Sequence, residues 1–128
     1  MKLYNILNKL ILENAAARDS INDAINGKYR VNIYYAGDDN TAAGKRTIEV
    51  YAFGMTKAGN LVIRAYQLFG DTKTVKPAWK FFRLDRITKW DPTNFKYYTP
   101  ISDRDPSIPK FNPNGDGSMV SVYNVARF

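Results

Sequence analysis

Hydrophobic and polar positions follow three regimes along the chain. In residues 2–15, Leu3, Ile6, Leu7, Leu10 and Ile11 recur at the spacing of one helix face, and Asn5, Asn8, Lys9 and Glu13 fall elsewhere on the wheel. Such a helix either packs on the core or offers its stripe to a partner or a second copy. A shorter helix is predicted next, from Asp19 or Ser20 as N-cap to Asn26, with Gly27 at C′ and Ile21, Ala24 and Ile25 on its buried side. From Lys28 the period becomes two. Tyr29, Val31, Ile33 and Tyr35 alternate with Arg30, Asn32 and Tyr34, as in a half-buried strand. A polar loop (37–45) leads to a second strand over 46–54. The tight turn KAGN (57–60) joins it to a third over 61–69, which makes an antiparallel hairpin. A fourth strand is predicted in WKFFRLDRI (79–87), after a lysine-bearing loop (70–78). In it Phe82, Leu84 and Ile87 are expected to face the core, and Trp79, Phe81 and Arg83 the opposite way.

Beyond Trp90 neither period holds. DPTN and NPNGDG are turn chemistry, and Pro92, Pro100, Pro106, Pro109 and Pro113 recur. Val120, Val122 and Val125 suit one final strand over 119–126. The predicted fold is mainly β with N-terminal helices (α+β): helices in 1–27, a small barrel or strongly bent sheet in 28–98, and an extended Pro/Gly/Asn-rich tail in 99–128. A chain of 128 residues suits one domain with one core.

Composition narrows the chemistry. The chain has no Cys and no His, so disulfides, thiolate nucleophiles, His bases and the usual Cys/His metal sites are excluded. The 12 acidic residues are scattered, without a close pair in an apolar setting, and Asp38-Asp39 reads as a solvated turn. The expectation is a protein that is not an enzyme and needs no cofactor. Nineteen Lys plus Arg give a net charge of +7, which favours polyanionic partners. Asn5, Asn8 and Lys9 interrupt the first apolar stretch, and no apolar run reaches the length of a membrane span. A soluble, cytoplasmic protein without membrane contact is expected.

The order of elements carries a resemblance. Helices are followed by Ile33 and Tyr35, by Arg46 with Ile48 and Glu49, by Gly59, by Ala65 and Tyr66, and by the run Phe82-Arg83-Leu84-Asp85-Arg86-Ile87. Over about residues 20–95 this resembles the WYL domain, a small Sm- or SH3-like β-barrel of bacterial and phage regulators. The departures are specific. The family's Trp-Tyr-Leu triplet falls at Leu61-Val62-Ile63, and Val50 stands where a proline usually follows the R-x-x-E pattern. Residues 1–26 are too few for a helix-turn-helix domain, so the chain looks like the standalone versions in phage genomes.

The resemblance implies a module that senses nucleic acid or nucleotides. It places Arg46, Arg83 and Arg86 on a basic ligand-facing surface, with Tyr35 and Tyr66 as polar aromatics. Parity adds Arg64 and Phe81 as candidates, and Lys80 joins them for its charge. Arginine's planar fork suits phosphate, and an aromatic face stacks on bases, which favours single-stranded nucleic acid over duplex. Lys73, Lys76, Lys80 and Lys89 would add salt-sensitive attraction. The bland reading stays open beside this. Arg83 and Arg86 suit structural pairing with Asp85 or Glu49, and Trp79 and Phe81 suit cover by the protein's own ends. The alternative function is a phage structural or interaction component, a virion part or an inhibitor of a host factor. It would act, or self-associate, through the first helix and the final strand.

Overall fold

The computed structural model describes residues 18–70, 78–100, 111–112, 115–116 and 118–128. One α-helix lies among them, α1 (18–27), followed by β1 (Tyr29–Tyr35), β2 (Gly44–Met55), β3 (Leu61–Gly70), β4 (Ala78–Arg83), a 3₁₀ turn (Leu84–Arg86) and β5 (Ile87–Lys96). Two-residue strands β6 (Phe111–Asn112) and β7 (Gly115–Asp116) pair with each other, and β8 (Ser121–Val125) ends the fold. The helix predicted over 2–15 lies outside the described residues.

α1 already includes Arg18, so neither Asp19 nor Ser20 caps it. It also runs through Gly27, and the left-handed residue that follows is Lys28, with φ 55°. Gly27 serves close approach instead: a Cβ there would lie 2.4 Å from Cε2 of Tyr29.

The main sheet is antiparallel in the order β4-β3-β2-β1-β5. β2 is long enough to hold two partners end to end on one edge, β1 along Gly44–Ile48 and β8 along Ala52–Met55. The final strand predicted from the valine spacing is therefore present, shortened to five residues.

Two expectations change. The sheet is open rather than a closed barrel, since its outer strands β4 and β5 pair with β3 and β1 and not with each other. A barrel fills its interior from its own strands. Here α1 supplies Ile21, Ala24 and Ile25 to a core shared with Val31, Ile33, Tyr35, Ile48, Val50, Phe53, Ile63, Ala65 and Phe82, so the sheet curls around a helix. The second change is β5, which runs through Asp91-Pro92-Thr93-Asn94 where turn chemistry is expected. β5 is an outer strand with one hydrogen-bonded neighbour, and an edge tolerates a proline without an N–H.

The inward set expected in WKFFRLDRI is found, with Ile87, of the opposite parity, brought to the core after the 3₁₀ turn. Phe82 is fully buried, and Leu84 and Ile87 pack against the same core. On the opposite face a second cluster joins Ala52 and Val62 to Met119 and Val125 of the C-terminal segment, with Phe81 packed against it.

Candidate functional site

Cross-strand register builds the site on the outer face of β3 and β4. Val62 pairs with Arg83, Arg64 with Phe81, and Tyr66 with Trp79, so two guanidinium groups and three aromatic rings share this face. The Arg64 guanidinium carbon lies 4.3 Å from the Phe81 ring centre, a close cation–π contact. Tyr66 and Trp79 meet edge to face with centroids 5.4 Å apart, and Trp79 meets Tyr51 in the same way at 5.1 Å. Arg83 Nε and Nη2 donate to the two carboxylate oxygens of Asp85 at 3.0 and 2.7 Å. That hydrogen bonding, together with the Asp85 charge, holds its guanidinium above the ordinary arginine value.

Beside Arg83 and Phe81 the strip borders a cleft of about 300 Å³, whose far wall is the loop carrying Asp38 to Thr41. Asp38 organises that loop. Its Oδ1 accepts the backbone N–H groups of Asn40 and Thr41 at 2.8 and 2.7 Å, and its Oδ2 accepts the Tyr35 hydroxyl at 2.5 Å. Partial burial pushes the Asp38 carboxyl up, but these hydrogen bonds outweigh it and hold the group below its ordinary value. Burial, then the hydrogen bond to Asp38, pushes the Tyr35 phenol up to about 12. The same hydroxyl accepts the Arg83 backbone N–H at 3.0 Å, so loop, β1 and β4 are locked together under the cleft.

The remaining expected site residues lie elsewhere. Tyr35 is fully buried, its ring 4.8 Å from that of Phe82. Arg46 is buried too, with Nη1 donating to Gln67 Oε1 at 2.6 Å and Nη2 to the Ala42 carbonyl. Lys80 shares parity with Phe82 on the inner face, where burial first and the Arg46 charge second hold its ammonium below the ordinary lysine value. Arg86 is exposed at the end of the 3₁₀ turn, and its carbonyl accepts the Ala36 N–H at 2.7 Å. The structure thus brings Arg64, Tyr66, Phe81 and Arg83 together, sets Arg86 beyond them, and puts Tyr35, Arg46 and Lys80 on the other side of the sheet. Glu49 pairs with Arg30 instead, at 3.0 Å, with its carboxylate fully buried.

The sequence model of one family, the WYL domain, matches residues 16–92. The chain belongs to the WYL domain family. Comparison with curated proteins and with solved structures gives no match. The WYL match runs from α1 into β5 and so spans the whole strip. At the start of β3, where the sequence resemblance puts the family's triplet, Leu61 and Ile63 turn to the core, and Val62 turns outward opposite Arg83. Two parts of the site lie beyond the sequence reading, the Tyr35–Asp38 pair and the cleft wall. A turn-forming Asp three residues after a strand tyrosine is the only local signal for them.

Among the described residues no group of His, Cys, Asp and Glu is placed to hold a metal ion. No helix among them is long and apolar enough to cross a membrane.

Proposed function

We propose that this WYL domain is a non-catalytic binding module whose Arg64–Phe81–Arg83 strip, continued by Arg86, recognises nucleic acid or a nucleotide. The single observation behind the proposal is the β3–β4 register, which gathers the Arg64 and Arg83 guanidinium groups with the Phe81, Tyr66 and Trp79 rings on one face. Guanidinium forks suit phosphate oxygens, and rings beside them suit bases. Asp85 orients Arg83 and leaves it to be shared with an anion. Membership in a family of ligand-sensing regulatory domains supports the same reading.

The alternative, an interaction protein that offers its final strand to a partner, draws less support, because β8 is paired with β2 of its own chain. Anisotropy titrations with fluorescein-labelled oligonucleotides and nucleotides at low salt test the proposal. Arg83→Ala with Arg86→Ala should abolish binding of the probe that the wild type takes, while the thermal melt stays unchanged. Equal binding by the wild type and the double variant would sink it, as would no binding of any probe.

A further inference from the structure

The same sheet face carries a second patch beyond the Tyr66 end of the strip. On β1, Tyr34 is flanked by Lys45 of β2 on one side and Lys89 of β5 on the other. In the next row Asn32 lies between Thr47 and Asp91, and Thr47 pairs in turn with Phe69 of β3. These rows border a groove of about 390 Å³. Phe69 is 66% exposed and Tyr34 is 37% exposed, and Lys45 and Lys89 are exposed as well.

We propose that this outer face of β5, β1 and β2, with Phe69 at its rim, is a second binding surface, and that it takes single-stranded nucleic acid. Lysines on both sides of an exposed ring offer charge to phosphates on either side of a stacked base. Two exposed rings decide between strands, because a duplex hides its base faces in the stack and a single strand presents them. An acidic peptide would use the lysines but leave Phe69 and Tyr34 without a role. The Asn32 and Thr47 side chains, already joined by a 2.7 Å hydrogen bond, form the polar floor. Asp91 repels phosphate at one end of that row, which sends the backbone along the lysine row. Along β3, Phe69 lies seven residues from Val62, or about 23 Å at a strand's rise, so the patch is separate from the Arg83 end of the strip.

The test uses the full chain and fluorescein-labelled dT16, with a duplex of the same length as competitor. Phe69→Ala should weaken dT16 binding about tenfold through loss of one stacked base. Lys89→Ala should reduce the slope of log K against log salt by about 0.7. Both residues are exposed, so thermal melts should match the wild type. Unchanged affinity in Phe69→Ala and unchanged slope in Lys89→Ala would overturn the proposal, whatever the strip does. A duplex that competes as well as the single strand would overturn it too. Loss of dT16 binding only in the Arg83→Ala, Arg86→Ala variant would keep the strip and remove this face; loss only in the Phe69 and Lys89 variants would do the reverse.

Discussion

The Tyr35 hydroxyl has two partners, and one small change removes both. It donates to Asp38 and accepts from the Arg83 backbone, while its ring fills the core. Tyr35→Phe keeps the ring and removes both hydrogen bonds, which should cost about 1–3 kcal/mol in urea unfolding. Both partners also give the protein a pH signature. The Asp38 carboxyl is held below its ordinary value of 3.8, so its contribution is present above that pH and is lost as pH falls through and below it. The phenol is raised from 10.0 to about 12, so its contribution is present below pH 10.0 and is lost as pH rises toward 12. Melting temperatures across pH should therefore fall less steeply on the acid side in Asp38→Asn, and on the alkaline side in Tyr35→Phe. None of this coupling is legible in the sequence, because it needs β1 to return beside the β4 end through register. Parity alone does place Arg64, Tyr66, Phe81 and Arg83 on one face. Arg46 defeats the same reasoning, since the partner that lets it be buried, Gln67, lies 21 residues away on the next strand. Phe69, Tyr34, Lys45 and Lys89 become one patch only once the strand order is known.

Among the elements, β8 is the one most dependent on a single position. A Cβ on Gly54 would lie 2.2 Å from the Ser121 carbonyl oxygen and 2.6 Å from Met119 Sδ. The sulfur has room to move, but the carbonyl belongs to the strand itself. Gly54→Ala should therefore displace β8 from β2 and cost about 1–3 kcal/mol, as overpacking does, read as a lower urea midpoint. β1, β3 and β4 are legible because one face of each is buried, which leaves a two-residue period in the sequence. β2 is instead buried on both faces from Ile48 to Gly54 and is marked by a near-continuous apolar run. β5 is exposed along most of its length, with Asp91, Pro92, Asn94, Phe95 and Lys96 all exposed, so no alternation records it. Its strand character comes from pairing with β1, a tertiary effect that local turn chemistry opposes. The open form of the sheet is equally hidden: the pattern marks which residues are buried but not whether a helix or another strand buries them.

At the scale of the molecule, the two faces of the sheet divide the work. The inner face is closed by α1 and holds the structural core, while the outer face carries the arginine–aromatic strip, the lysine-flanked patch and the C-terminal cover over Phe81. This arrangement lets the outer face change its charges with little effect on the core. One further link crosses from the inner layer to the last strand. The Asn124 side-chain amide donates to the side-chain oxygens of Asn22 and Asn26 at 3.0 and 3.1 Å, fastening β8 to α1. Two hydrogen bonds thereby tie the described helix to the last strand, although 98 residues separate Asn26 from Asn124. Native-state hydrogen exchange should find amides of 21–27 and 121–125 opening together with one common free energy, and Asn124→Ala should split them into two. A fluctuation that begins at the C-terminal strand would then reach the lid of the core before it reaches the strands between.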